Sequence, residues 1–197
     1  MKLDKQKILE AYNTFALFEE ADILAQSYTL ARKANEISAM KYIFLMSQRT
    51  LDKFTKEHFK QTPTLLELKI VYIIASIIQK ESNAVEEMPL ISSVIYNRLE
   101  KNMRLQMDST LNYGAFSHTI VTPERIKSDS SAYNTYKYNG LPPHPLGTVT
   151  LDALKAAVKP APSDYLYFML NENGKHDFSA HYAEHLARIK TFRAYQN

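Results

Sequence analysis

The chain has 197 residues, enough for one domain or one and a half and for a sizeable buried core. Its composition is that of an ordinary globular protein, 45% hydrophobic and 23% charged, and a net charge of +3 without any dense Lys/Arg run argues against nucleic acid as a partner. The absence of cysteine excludes a disulfide framework and thiolate metal sites. No apolar run of about 18 residues offers a membrane span, and the opening MKLDKQKILE lacks the apolar core of a signal peptide.

Residues 1–20 read as a short amphipathic helix, with Ile8, Leu9, Tyr12 and Phe15 on one side. Residues 21–34 are weakly periodic and suit extended or loop structure. A long helix is expected over 36–60, with Met40, Ile43, Phe44, Leu51 and Phe54 facing inward and its many Lys and Glu residues in water. Residues 61–63 then link into the stretch that organises the chain, LLELKIVYIIASIIQKES at 65–82. Thr64 and Glu67 form a capping-box pattern at its start, with Pro63 just outside. Leu66, Ile70, Ile74 and Ile77 recur at helical spacing, and the next position on that face is Glu81. A carboxyl placed against an apolar wall loses hydration, which raises its pKa, and the negative end of the helix pushes the same way. Held protonated near neutral pH, it is a general acid. The competing placement swings the same side chain out into water.

A break at residues 82–83 leads to a second helix over about 87–101, with Pro89 in its first turn and Ile91, Val94, Ile95 and Leu99 as its core stripe. Residues 102–148 are irregular and rich in polar, aromatic and turn residues, a length that in a compact domain usually serves function. A helix at about 150–158 stops before Pro160. Residues 165–170 alternate as a strand, 171–175 turn, and 176–179 pair back. A final helix over 180–194 carries Leu186, Ile189 and Phe192. The predicted fold is α+β: a mainly helical domain with a small C-terminal β-hairpin and a long irregular segment forming a cleft.

His181, Glu184 and His185 match an H-x-x-E-H zinc pattern, but no Asp, Glu, His or Cys follows to complete a ligand set. The pair suits structural hydrogen bonds on the final helix better. No G-x-S-x-G turn and no glycine-rich phosphate loop occur. What remains is Glu81 beside a segment rich in Tyr, Asn, Gln and Asp, the composition of a carbohydrate cleft. Ordinary glycosidases pair two carboxylates. Asp108, Glu86 and Glu87 are the candidates for a second, with Asp108 the better placed; Glu86 and Glu87 suit the start of the next helix. Asp108 serves equally well as a cap that fixes its own loop.

ASIIQKES (75–82), SVIYNRL (93–99), RLQMDSTLNYG (104–114), AYNTYKYNGLPPHP (132–145), ALKAAVKPAPSDYLYF (153–168) and the GKHDFS…EH run (174–185) together resemble the signature blocks of the endolytic murein transglycosylases, the YceG/MltG-like family. The likeness runs in order over roughly residues 63–195, with a fainter echo at 20–30. The resemblance implies cleavage of the β-1,4 bond between N-acetylmuramic acid (MurNAc) and N-acetylglucosamine (GlcNAc) inside peptidoglycan strands, leaving 1,6-anhydro-MurNAc ends. It puts the family's catalytic acid, which then serves as base, on Glu81. Gln106, Asp108, Tyr113, Asn134, Thr135 and Tyr136 fall on motif positions and are assigned to shaping the cleft and holding sugar. Asn97 and Arg98 are expected to brace the loop. No metal and no cofactor are implied. The expected setting is the cell envelope, on the periplasmic side of the inner membrane, with cell-wall synthesis proteins as further partners.

The chain departs from the family pattern in places. Gln79 stands for a frequent Glu, Met107 and Ser109 for a usual Thr and Pro, His144 for a common Gly, and residues 146–150 for a Pro-Gly-containing turn. The family's N-terminal membrane helix has no counterpart, and residues 1–62 hold at most a remnant of its LysM-like portion, with the catalytic domain at 63–197. The expectation is therefore either a truncated form or a minimal member that needs a partner for anchoring. Two rival readings stand: a hydrolytic muramidase in which Asp108 positions water, and a non-catalytic glycan-binding or scaffold module of the cell-wall machinery.

Overall fold

A computed structural model describes residues 4–18, 20–117 and 119–196. The chain wraps around α3 (Leu65–Glu81). Its capping box is formed: the Thr64 hydroxyl accepts from the Glu67 N–H at 3.2 Å, and the Glu67 carboxylate accepts from the Thr64 N–H at 2.7 Å. The expected single apolar stripe is not what buries the helix. Leu66 and Ile70 are 67% and 39% exposed, whereas every residue from 71 to 78 is buried. The first turns project past the neighbouring helices, while the later turns are enclosed on all sides, so Val71, Tyr72 and Ile73 join Ile74 and Ile77 in the core.

That enclosure comes from α4 (Met88–Glu100) and α7 (Leu151–Val158), which pack on α3 and on each other. Helix α7 is short and alanine-rich; Ala153, Ala156 and Ala157 are buried, and their small side chains let the backbones approach. Tyr96 on α4 donates its hydroxyl to the Ala157 carbonyl at 2.8 Å, closing the three-helix core. Polar side chains on α3 tie the preceding loop to it. Ser76 Oγ accepts from the Leu146 N–H at 2.9 Å, and Gln79 Oε1 accepts from the Thr150 hydroxyl at 2.6 Å.

Upstream, α1 (Lys5–Phe15) packs on α2 (Glu36–His58) through Tyr12 and Phe15, whose rings meet Phe44 at 5.4 and 5.7 Å. Residues 1–3 and 19 of the expected first helix lie outside the described residues. Leu9, expected on the inner side, is exposed, and Ala11 is buried in its place. Residues 21–34 are largely irregular, with one parallel bridge from Leu24 to Val149. Leu24 and Phe54 of α2 belong to the same buried cluster as α3, α4 and α7.

The middle segment is less irregular than its sequence suggests. It contains α5 (Asp108–Leu111), a 3-10 turn at Gly114–Phe116, and α6 (Pro123–Ser128). These pieces are too short for helical periodicity to register. Strands β1 (Tyr167–Leu170) and β2 (His176–Ser179) form an antiparallel hairpin that pairs Tyr167 with Ser179 and Leu170 with His176. Its turn is set by Asn171, whose side-chain oxygen accepts from the Asn173 and Lys175 N–H groups, and by Gly174 at φ +72°. Helix α8 (Tyr182–Gln196) packs on both strands. Of Leu186, Ile189 and Phe192, the last two are half-buried; Leu186 is exposed, and His185 is half-buried beside them. The helical domain with a C-terminal hairpin is thus the fold observed.

The two ends of α3 are expected to respond very unequally to truncation. Ile77→Ala should lower the unfolding free energy by about 2–5 kcal/mol, as for a fully enclosed aliphatic side chain. Leu66→Ala should change it by no more than about 0.5 kcal/mol. Urea denaturation of both variants measures the difference.

Candidate active site

Glu81 ends α3, and its side chain opens into a cleft of about 480 Å³. Residues 105–108 and Tyr136 form one side. Residues 167–170 and His176 of the hairpin, with Tyr182, His185 and Ile189 of α8, form the other, and Arg98 contributes from α4. The carboxyl keeps contact with solvent through the cleft mouth but sits deep among protein atoms. That burial is the main force pushing its pKa up, and the negative charge of Asp108 adds to it. The Ser109 N–H, 3.3 Å from Oε1, and the nearby His176 act in the opposite direction. The net result is a carboxyl that holds its proton above the usual range of glutamate.

Of the residues singled out in the sequence, Gln106, Asp108 and Tyr136 line this cleft with Glu81. Asp108 Oδ1 accepts a 2.5 Å hydrogen bond from the Tyr136 hydroxyl. Burial and that bond together raise the pKa of the phenol and keep it neutral. Gln106 has φ +50°, a left-handed backbone that costs a non-glycine residue about 1–2 kcal/mol. Its N–H is anchored on the Thr135 carbonyl at 3.1 Å. Asn134 and Thr135 are buried behind the wall. Asn134 Nδ2 donates to the carbonyls of Ile126 and Asp129, and Thr135 Oγ1 accepts from the Met107 N–H. Tyr113 stacks on Tyr133 at 4.4 Å and lines a separate hollow of about 740 Å³. That hollow is the larger of the two, but it shares no lining residue with the cleft and lacks Glu81.

Asn97 and Arg98 brace the neighbouring segments. Asn97 Nδ2 donates to the carbonyls of Ser163 and Tyr165, both at 2.9 Å. Arg98 Nε donates to the Leu166 carbonyl at 2.6 Å, and Nη1 to those of Arg104 and Leu105 at 3.0 and 2.7 Å. The guanidinium also lies 5.1 Å from the centre of the Tyr167 ring. Arg98 therefore reaches the cleft itself, which its position in the sequence of α4 did not reveal.

Glu87 likewise does more than favour a helix start. It occupies the N-cap position of α4 without capping it; its carboxylate instead accepts from the Ser82 hydroxyl and from both Nδ1 and the backbone N–H of His176. Burial works against the charge, but these donors outweigh it and hold the pKa below the ordinary range. The expected hydrogen bonds of a His181–His185 pair are not formed. His181 is exposed, while His185 stacks on Tyr167 at 5.2 Å with a buried Nδ1 that has no partner. Burial, helped by Arg98, lowers the pKa of His185 and keeps it neutral. No group of three or more His, Asp or Glu side chains that could hold a metal occurs among the described residues.

A model of the YceG-like family matches residues 2–191. This chain belongs to the YceG-like family. An endolytic murein transglycosylase of Bacillus subtilis is 38% identical to it over 112 residues, covering 57% of this chain and 31% of that protein. One from Streptococcus pneumoniae is 34% identical over 126 residues, covering 57% of this chain and 23% of that protein. The chain thus matches less than a third of the length of either. The crystal structure of a YceG-like protein of Listeria monocytogenes superposes with a TM-score of 0.73 at 30% identity, over 93% of this chain and 64% of that one. The chain is therefore homologous to a known enzyme family.

In this YceG-like chain, Ser109 supplies Glu81 with a backbone donor that a proline would not possess. Ser109→Pro, early in α5 where proline is tolerated, should raise the Glu81 pKa further; NMR titration of the Glu81 carboxyl reads the shift.

Burial of Glu81 also sets the sign of a stability effect. A carboxyl whose pKa is raised on folding supports the fold below its unfolded pKa, and that support is lost as pH rises through the folded value. Glu81→Gln mimics the protonated form at every pH. The variant should therefore melt higher than wild type at pH 8 and equally at pH 4 or below. The gap should be about 3–5 °C for each tenfold by which folding strengthens proton binding. Calorimetry across pH tests this.

Proposed function

We propose that this YceG-like chain is an endolytic lytic transglycosylase that cuts peptidoglycan strands at the β-1,4 bond between MurNAc and GlcNAc. The observation carrying this reading is a proton-retaining carboxyl at the end of a rigid buried helix, facing a cleft walled by Asp108, Tyr136 and the aromatic hairpin.

Glu81 donates its proton to the glycosidic oxygen as the C1–O bond breaks, and positive charge develops at C1 of the muramic acid. The ionised Glu81 then takes the proton of that sugar's 6-hydroxyl while O6 bonds to C1. The 1,6-anhydro ring forms, and Glu81 returns to its starting state. The acid and base roles fall in sequence on one carboxyl, and the nucleophile is already tethered to the reacting sugar, which replaces the capture of a free water. Gln106, Asp108 and Tyr136 hold sugar hydroxyls along the cleft. Asn134 and Thr135 fix the wall from behind, and Tyr113 shapes the adjoining surface. The same reading places the protein in the cell envelope on the periplasmic side of the inner membrane, working on strands made by cell-wall synthesis proteins. No helix among the described residues is long and apolar enough to cross a membrane.

A second reading, hydrolysis with Asp108 directing water, draws support from the position of Asp108 beside Glu81 in the same cleft. Digestion of purified sacculi followed by mass spectrometry separates the two. Transglycosylation gives 1,6-anhydro ends, hydrolysis gives reducing ends, and a scaffold module gives no cleavage. Glu81→Gln should lower the rate about 10²–10⁴-fold. The wild-type rate should fall with rising pH through one ionisation above the ordinary range of glutamate. A Glu81→Gln variant as active as wild type would remove the proposal.

A further inference from the structure

Glu87 and His176 are 89 positions apart in sequence, yet form a two-point contact at the edge of the cleft. Glu87 Oε1 accepts from the His176 backbone N–H at 2.9 Å, and Oε2 lies 2.7 Å from Nδ1. Oε2 also accepts from the Ser82 hydroxyl at 3.1 Å, and Ser82 directly follows Glu81. The His176 side chain is only 10% exposed and lines the cleft that holds Glu81. An anionic Glu87 is an acceptor only, so Nδ1 carries a proton. With Nδ1 carrying the proton, a neutral ring presents Nε2 as a lone-pair acceptor, and Nδ1 is the His176 ring nitrogen that hydrogen-bonds among the described residues. Within the same cleft Arg98 only donates and the Tyr136 hydroxyl donates to Asp108, so Nε2 would add an acceptor on the hairpin side, across from the Asp108 carboxylate.

We infer that Glu87 and His176 form a positioning dyad in which Glu87 fixes the tautomer of His176 so that Nε2 accepts a hydrogen bond from an O–H or N–H group of the glycan bound beside Glu81. This rests on the reading of the cleft as a glycan site. No proton is transferred by the dyad; Glu81 retains the chemistry. Because the Ser82 hydroxyl bonds the same carboxylate, the substrate contact and the residue next to the acid share one anchor, so sugar held at Nε2 is held in register with Glu81.

Glu87→Gln tests the dyad with little change in shape. The His176 backbone N–H can only donate, so the amide oxygen must remain opposite it. The amide nitrogen then falls beside Nδ1 and Ser82, and Nδ1 must become the acceptor. The proton moves to Nε2, and the ring now offers the cleft a donor in place of an acceptor. Nitrogen-15 NMR of the full chain should show Nε2 unprotonated at neutral pH in wild type and protonated in Glu87→Gln. In the Glu81→Gln background, where glycan binds without being cut, adding purified peptidoglycan strand fragments should shift the Nε2 resonance. The further Glu87→Gln change should weaken fragment binding about tenfold, the worth of one hydrogen bond.

A protonated Nε2 in wild type overturns the inference by itself, even if Glu87→Gln fails to fold. So does fragment binding that shifts other cleft resonances while leaving Nε2 unmoved, or that is unchanged by Glu87→Gln. Those results leave the transglycosylase reading intact. That reading fails separately if wild type releases no anhydro ends from sacculi, a measurement that does not involve the tautomer.

Discussion

The structure depends on keeping one carboxyl out of bulk water without losing control of where it points. Removing Glu81 from solvent favours its protonated form, and the nearby charge of Asp108 favours it further. Such a group is useful only if its position is fixed, and the last turns of α3 are fixed from several directions. Ser76 holds Leu146, Gln79 holds Thr150, and Lys80 donates to the Asn112 carbonyl at 2.6 Å. Glu81 meets Ser109, and Ser82 meets Glu87. Successive polar positions thus grip different segments of the chain, while the apolar residues between them fill the core. Gln79 grips its partner without adding charge. Its role is to accept from Thr150 at the start of α7, which an amide oxygen does as well as a carboxylate, and without another negative charge near the acid.

Arg98 plays the corresponding part on the opposite wall. The ion pairs among the described residues do not include it; main-chain carbonyls at 104, 105 and 166 surround the guanidinium instead. One side chain therefore clamps the segment entering the cleft to the start of the hairpin. Burial depresses the pKa of a guanidinium, but from so high a starting value that it remains charged. Residues 104–107 are drawn tightly around it, and the left-handed turn at Gln106 is the conformation that this path requires. The strain is local and is balanced by the hydrogen bonds that Arg98 and Thr135 supply on either side.

Much of this architecture was legible in the sequence because its signals are local. The capping box at Thr64, the proline at the start of α4 and the turn built on Asn171 each act over a few residues, and each formed where expected. The apolar stripe on α3 misled because periodicity records which face is apolar, not how far neighbouring helices extend. Leu66 and Ile70 match the pattern but lie beyond the cover of α4 and α7. The candidate site was half legible. Glu81 was marked by an acid on an apolar face, and Asp108 and Tyr136 by the composition of their segment. Tyr167, His176 and His185 reach the cleft only through the docking of the C-terminal hairpin and α8 against Arg98 of α4, a long-range event with no periodic signature. Glu87 had a sufficient local explanation in the helix dipole, and that explanation hid its partner on β2.

The dependence of the cleft on two distant parts of the chain has a thermodynamic consequence. Glu81 comes from the buried core, whereas the wall opposite comes from residues 167–189. Docking that wall removes water from the carboxyl and so contributes to its raised pKa. Linkage makes the relation reciprocal: whatever docking adds to proton affinity, protonation returns as a preference for the docked wall. In the cycle we propose, loss of the proton to the leaving group would weaken that preference at the step when the severed strand must depart, and recovery of the proton would restore it for the next encounter. The hairpin is held independently by Glu87 and Arg98, neither of which changes charge in the proposed cycle, so this bias acts on the closeness of the wall rather than on its attachment. A site built from one helix alone has no such coupling; here the acid and the surface that shields it are separate elements joined by a few polar contacts.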